Sequence, residues 1–174
     1  MIRKKNKFSR TRKPFELSRI KEENALVERY GLKNKKEIWK TLAKVDYYRN
    51  RAMALAKSPL KEQHVLFKKL QALGLKVEHT ADVLGLRVEN LLERRLPTIV
   101  HKKGLANTVK HARQLVSHKK ILIYGKVVDA PSYLVPIAEE NHIALKKSAK
   151  KPKPKAETTE TAESLEEVKD GGNE

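Results

Sequence analysis

Apolar residues recur at helical spacing through the first ninety or so positions, then change to a two-residue period. From Pro14 to Gly31 the apolar positions Leu17, Ile20 and Val27 share one helix face. Proline suits the first turn of that helix and glycine the position past its end. A second helix is predicted from Asn34, as N-cap, to just before Ser58-Pro59, because the residue before a proline avoids the helical region. Its inward stripe is Ile38, Leu42, Val45, Ala52 and Ala56. Residues 60–73 read as a third helix closed by Gly74, and Thr80 to Leu84 as a short one stopped by Gly85. The next pattern runs from about 88 to 103, with Gly104 as its stop. Pro97 inside it predicts a kink or a break. Asn107 or Thr108 then caps a helix to about Ser117, with Val109, Ala112 and Val116 inward.

After His118 the pattern becomes strand-like. Ile121-Leu-Ile-Tyr, a Gly-Lys turn and Val127-Val give a strand–turn–strand signal. Ser132 to Val135 and His142 to Leu145 are expected to be further short strands, with Pro131 and Pro136 at strand ends. The fold class expected is α+β: an all-helical N-terminal region, then two helices and a small antiparallel sheet. The division expected is a basic arm at 1–13, a helical domain at 14–91, a module at 92–147 and a tail at 148–174.

Charge sharpens this picture. The 174 residues hold 39 Lys and Arg against 21 Asp and Glu, a formal net charge of +18. Residues 1–57 carry 18 cations against 6 acids, whereas 58–90 carry 5 against 4. Residues 146–155 hold six Lys and no acid, and 156–174 hold 1 cation against 7 acids. The Lys/Pro run and its acidic neighbour cannot bury apolar surface, so both are expected to be disordered. The arm carries Arg3, Lys4, Lys5, Lys7, Arg10, Arg12 and Lys13 with no acid, a composition that orders against phosphate.

Such an excess of positive charge repels itself unless a polyanion is near, and nucleic acid is the default candidate. On the second helix Lys36, Lys40, Lys44, Tyr47 and Arg51 form a row opposite the apolar stripe, with no acid in it. On the helix to Ser117, Lys110, Arg113, Gln114 and Ser117 face away from the apolar side.

Several classes drop out. With no cysteine there is no disulfide frame, thiolate metal site or cysteine nucleophile. No apolar run approaches the roughly 18 residues that span a bilayer, and no apolar stretch follows the basic N-terminus as in a secretory signal. The six His are scattered, without HExxH or a Ser–His–acid pattern, and no Gly-rich phosphate loop exists. No enzyme activity, metal, cofactor or membrane partner is expected.

The run LERRLPTIVHKKGLANTVKHARQLVSHKKILIYGKVVDAPSYLV, residues 92–135, resembles the RNA-binding module first described in ribosomal protein four of the small subunit. The matching pieces are the LERRL opening, Ala106 to Thr108, Ala112 to Val116, His118, the Ile121–Gly125 strand and turn, and Pro131-Ser132-Tyr133. Residues 31–57 and LGLRVENLLERRL resemble that ribosomal protein's archaeal and eukaryotic branch, so the likeness covers about residues 31–145. Three positions depart from the common pattern: Lys119 where many members have Gly, Tyr124 where many have Asn, and Val109 or Lys110 where an Arg early in the second helix is common. The zinc site of some bacterial members is absent with the cysteines.

The resemblance implies a structural constituent of the small subunit that binds its rRNA at a multi-helix junction in the 5′ domain. It implies an early role in assembly, contact with small-subunit protein five, an influence on decoding accuracy, a cytoplasmic ribosome-bound location and a position near incoming mRNA. The alternative is a stress- or rescue-type accessory factor using the same module. In the module the residues expected at RNA are Arg94 or Arg95, Lys102, Lys103, Lys110, Arg113, Gln114, His118, Lys119, Lys120 and Lys126. Arg113 is expected to fork onto phosphate, Tyr124 to stack on a base, and Tyr133 to pack or hydrogen-bond within the sheet.

Overall fold

A computed structural model describes residues 7, 8 and 10–146. Arg3, Lys4 and Lys5 of the arm, and the tail from 148 onward, lie outside the described residues. The chain is α+β. The elements are α1 (Leu17–Arg29), α2 (Lys35–Leu55), α3 (Leu60–Ala72), α4 (Thr80–Leu84), α5 (Val88–Glu93), α6 (Leu96–Lys102), α7 (Val109–Ser117), β1 (Ile121–Ile123), β2 (Lys126–Val127), α8 (Ile137–Glu140) and β3 (Ile143–Leu145). The strands form one antiparallel sheet in the order β2-β1-β3.

Helix ends explain much of this order. At the end of α1 the Leu32 N–H reaches back to the Val27 carbonyl at 3.0 Å and the Gly31 N–H to Glu28 at 3.4 Å. This pair of bonds needs a left-handed residue at position 31, where φ is +57°. A Cβ there would also stand 3.2 Å from the Lys110 nitrogen, so Gly31 lets the α1–α2 corner touch the start of α7. α3 and α6 stop in the same way. α7 does too, with Lys119 to Val116 and Lys120 to Leu115 both at 3.0 Å, but its left-handed residue is Lys119, at φ 58°.

The long pattern from 88 to 103 is broken, not kinked. Pro97 sits in the first turn of α6, where its missing N–H costs nothing. The chain leaves helical geometry at Arg94 and Arg95. The freed backbone pairs with residues 133–135: the Leu96 N–H reaches Tyr133 and the Val135 N–H reaches Arg94, each at 2.9 Å. That is why Ser132 to Val135 is not a strand of the sheet. It makes one isolated bridge, Arg95 with Leu134, between two prolines that cannot donate.

Other boundaries differ as well. α1 begins at Leu17, not at Pro14, and Leu17 is exposed. In α2 the buried stripe is Ile38, Val45, Tyr48 and Ala52. Leu42, expected in that stripe, is exposed, and Ala56 is the C-cap. The hairpin turn is Tyr124-Gly125, both at positive φ (50° and 75°), and Lys126 already belongs to β2. Two such residues match the twist of a tight hairpin. Helix α8 was not anticipated.

Three apolar clusters carry the fold. One joins α2, α3 and the chain through α4 to Leu91. A second fills the module with Leu96, Ile99, Val100, Ala112, Val116, Ile121 and Val135. The third holds Tyr30, Leu32, Ile38 and Leu92. Leu91, Leu92 and Leu96, all fully buried, thus supply one side chain to each cluster. The expected division at 91/92 falls inside α5.

Holding a lysine in the left-handed region costs about 1 kcal/mol relative to glycine. Lys119→Gly is therefore expected to raise stability by about 1 kcal/mol, read as a higher midpoint in thermal melting. An unchanged or lower midpoint would show that Lys119 makes compensating contacts.

Candidate nucleic-acid interface

The first turn of α2 places Glu37 between the helical region and the module. Its Oε1 accepts from Arg113 Nη2 at 2.6 Å, and its Oε2 from Arg113 Nη1 at 3.0 Å and Arg95 Nη2 at 2.7 Å. Arg113 also reaches the Gly31 carbonyl at 3.4 Å, and Arg95 Nε reaches that of Pro131 at 3.3 Å. Arg95 is only 5% exposed. Burial pushes the Glu37 carboxyl up, but hydrogen bonds and charge from Arg113 and Arg95 outweigh it and bring the pKa down to about 2.

Three arginines expected at RNA are thus engaged inside the protein. Arg113 spends its planar fork on Glu37, not on an open surface. Arg95 is buried against the same carboxylate. Arg94 pairs with Glu140 at 2.9 Å, donates to the Val135 carbonyl at 2.9 Å, and lies across Gly74. The sequence could not show this, because Glu37 is 76 positions from Arg113. The only hint was an acid inside the lysine-rich run KNKKEIWK.

Two arginines on one carboxylate leave one positive charge uncompensated. Both arginines help line a cleft of about 300 Å³, together with Glu37, Lys40, Thr41, Lys44, Leu91, Pro131, Ser132 and Leu134. Lys36, Lys40 and Lys44 are exposed and enter no ion pair among the described residues. Desolvation lowers the pKa of the Lys44 ammonium, and the nearby Lys69 charge lowers it further. Arg51, one end of the same row, donates to the Tyr47 hydroxyl at 3.3 Å. The α2 row therefore borders the module across a cleft of net positive charge.

On α7, whose N-cap Thr108 accepts from the His111 N–H at 3.1 Å, Lys110, Gln114 and His118 are exposed on the outer side. His111, Gln114, Leu115, His118 and Lys120 surround a hollow of about 180 Å³. Lys120 and Lys126 are exposed at the sheet. Lys119 lies 3.9 Å from Asp129 and Lys102 3.3 Å from Glu93, both pairs largely in water and so weak. Lys103 donates to the Glu140 carbonyl. In the arm Lys7, Arg10 and Arg12 are exposed, and Phe8 packs 6.0 Å from the Trp39 ring. Tyr133 donates to Glu139 at 2.7 Å, a bond that raises its phenol to about 12. Tyr124 is exposed at the hairpin tip, stacked on His142, a residue without any sequence signal.

A module of two helices and a small sheet, edged by exposed lysines, is the kind of stiff basic surface that suits RNA. Residues 94–141 match the S4 domain family. The chain is 46% identical over 145 residues to the small ribosomal subunit protein uS4 of Methanothermobacter thermautotrophicus, covering 80% of this chain and 85% of that protein. The same protein of Ignicoccus hospitalis is 46% identical over 80% of this chain and 87% of its own length, and that of Methanococcus aeolicus 46% over 72% and 75%. The chain belongs to the uS4 family, in its archaeal form.

Removing the Glu37 charge strands Arg95 in the interior. Glu37→Gln is expected to cost about 3–5 kcal/mol in urea denaturation near neutral pH. The folded pKa of about 2 lies below the ordinary 4.5, so the carboxylate's contribution is complete above 4.5 and fades as pH falls toward 2. The gap between wild type and Glu37→Gln should therefore shrink across that window. A gap independent of pH would show that the charge is not the tie.

Proposed function

We propose that the protein is a structural constituent of the small ribosomal subunit that binds its rRNA by shape and phosphate contact, without chemistry. What carries this reading is a double row of exposed polar groups: the cations Lys36, Lys40, Lys44 and Arg51 on α2, and on the module the cations Lys110, Lys120 and Lys126 with Gln114 and His118 as hydrogen-bonding neighbours. Lys40 and Lys44 line a cleft in which Arg95 and Arg113 outnumber the Glu37 carboxylate, leaving a net positive charge. Double-helical RNA offers phosphates and 2′-hydroxyls but hides its bases, so a stiff basic surface suits it. The Glu37 tie supplies the stiffness, holding the two rows in fixed relation.

Membership of the uS4 family extends the reading to a multi-helix junction in the 5′ domain. It also brings an early part in subunit assembly, contact with protein five, an effect on decoding accuracy and proximity to mRNA. The place of action would be the ribosome in the cytoplasm. Among the described residues no helix is long and apolar enough to cross a membrane. Lys102, Lys103, Lys119 and the arm's Arg3, Lys4, Lys5, Lys7, Arg10 and Arg12 would add contacts at the rim.

With about 8–10 cations on phosphate, log affinity for junction RNA should fall against log salt with slope roughly −6 to −9. Replacing Lys40 and Lys44 together by Gln should flatten that slope by about 2 and weaken binding to all RNAs alike, read by filter binding over a salt series. An unchanged slope would remove the cleft rim from the interface. Ribosomes washed at high salt and then split should retain the chain on the small subunit; recovery free or on the large subunit would favour an accessory factor.

A further inference from the structure

Tyr124 stands where the backbone least favours it. As first residue of the β1–β2 turn it adopts φ 50°, a region in which asparagine or glycine is comfortable and an aromatic side chain is strained. Strain of this kind persists where something else fixes it. The ring stacks on His142, centroids 4.2 Å apart and planes 25° from parallel. Its hydroxyl donates to the Ala138 carbonyl at 3.0 Å. The backbones are tied as well: the Tyr124 N–H reaches the His142 carbonyl at 3.3 Å, and the His142 N–H that of Glu139 at 3.0 Å.

Burial does not explain the pair. Tyr124 is 56% exposed, His142 is exposed, and neither joins an apolar cluster. The two carboxylates nearest in the chain are already engaged, Glu139 by Tyr133 and Glu140 by Arg94. Exposed Lys126 lies opposite Ile123 in the register, next to the turn, and Lys103 reaches the Glu140 carbonyl. The chemistry assembled is a preformed aromatic surface with exposed Lys126 next to the turn; Glu140 is neutralised by Arg94, and Glu139 is held by the Tyr133 hydroxyl. A paired base has both faces covered; an unpaired one offers a face to stack and a phosphate to neutralise.

We propose that the Tyr124–His142 stack is a platform for one unpaired base of the bound RNA, with Lys126 on the adjoining phosphate. This rests on the rRNA-binding reading above and adds to it a contact that discriminates junctions from plain duplex.

The test compares the full chain with Tyr124→Asn and Tyr124→Phe on two RNAs, the small-subunit junction and a fully paired duplex of similar length. Asparagine suits the left-handed turn, so that variant keeps its fold, which its melting curve verifies. Tyr124→Asn should bind the junction about tenfold more weakly, as loss of one stacked base implies, and the duplex as wild type does. Tyr124→Phe should bind both as wild type does. Ultraviolet irradiation of the wild-type complex should cross-link a nucleotide to the peptide holding Tyr124. Equal affinity of wild type and Tyr124→Asn for the junction would overturn the platform and leave the rRNA reading intact. So would an equal loss on both RNAs. A wild-type chain that binds neither would overturn both.

Discussion

The relation between α2 and the module rests on one partly buried carboxylate. Glu37 gathers Arg95 and Arg113 from two separate pieces of the module onto the first turn of α2. A buried ion pair rarely adds net stability against an apolar substitute, because desolvation takes back most of the attraction. Its value here is geometric. Charge-assisted bonds of 2.6–3.0 Å have narrow angular tolerance, so they fix register where leucines would slide. Two groups of lysines on different elements can match one rigid RNA only if the angle between the elements is set before binding.

The same economy of position governs the stretch from Leu91 to Leu96. Three leucines enter three clusters, while the two arginines between them reach Glu140 and Glu37. A continuous helix could not do this, since its side chains would recur on one face. The break at Arg94 and Arg95, made tolerable by Pro97 in the next first turn, turns the chain so that successive residues face different bodies. The exposed peptide groups are then satisfied by residues 133–135.

What the sequence made legible follows from what is local. Glycine stops, the Thr108 cap, the Pro97 break and the change to strand pattern are decided within a few residues, and each stands close to its expected place. The lysine row on α2 was legible for the same reason. The fate of the arginines was not. Arg113 lies on the outward side of α7 by spacing alone, and only the fold brings α2 over it. Ser132 to Val135 looks like a strand by composition, yet its partner is a helix break, which has no periodic signal. Lysine and arginine read alike in a charge count, but the planar guanidinium suits internal ties and the ammonium, strongly hydrated, stays outside. Within the module the division follows that chemistry: Arg94, Arg95 and Arg113 are tied inside, whereas Lys102, Lys103, Lys110, Lys119, Lys120 and Lys126 are exposed.

The two left-handed side chains make the final contrast. Lys119 and Tyr124 both hold positive φ, at 58° and 50°. At Lys119 the side chain finds only a loose partner, Asp129 at 3.9 Å in open water, so the strain has no visible return. At Tyr124 the same backbone holds a ring stacked, hydrogen-bonded and exposed. Equal backbone cost with unequal side-chain engagement separates a tolerated residue from a used one. The turn leaves the ring at the end of β1 beside the start of β3, where it meets His142 at 4.2 Å.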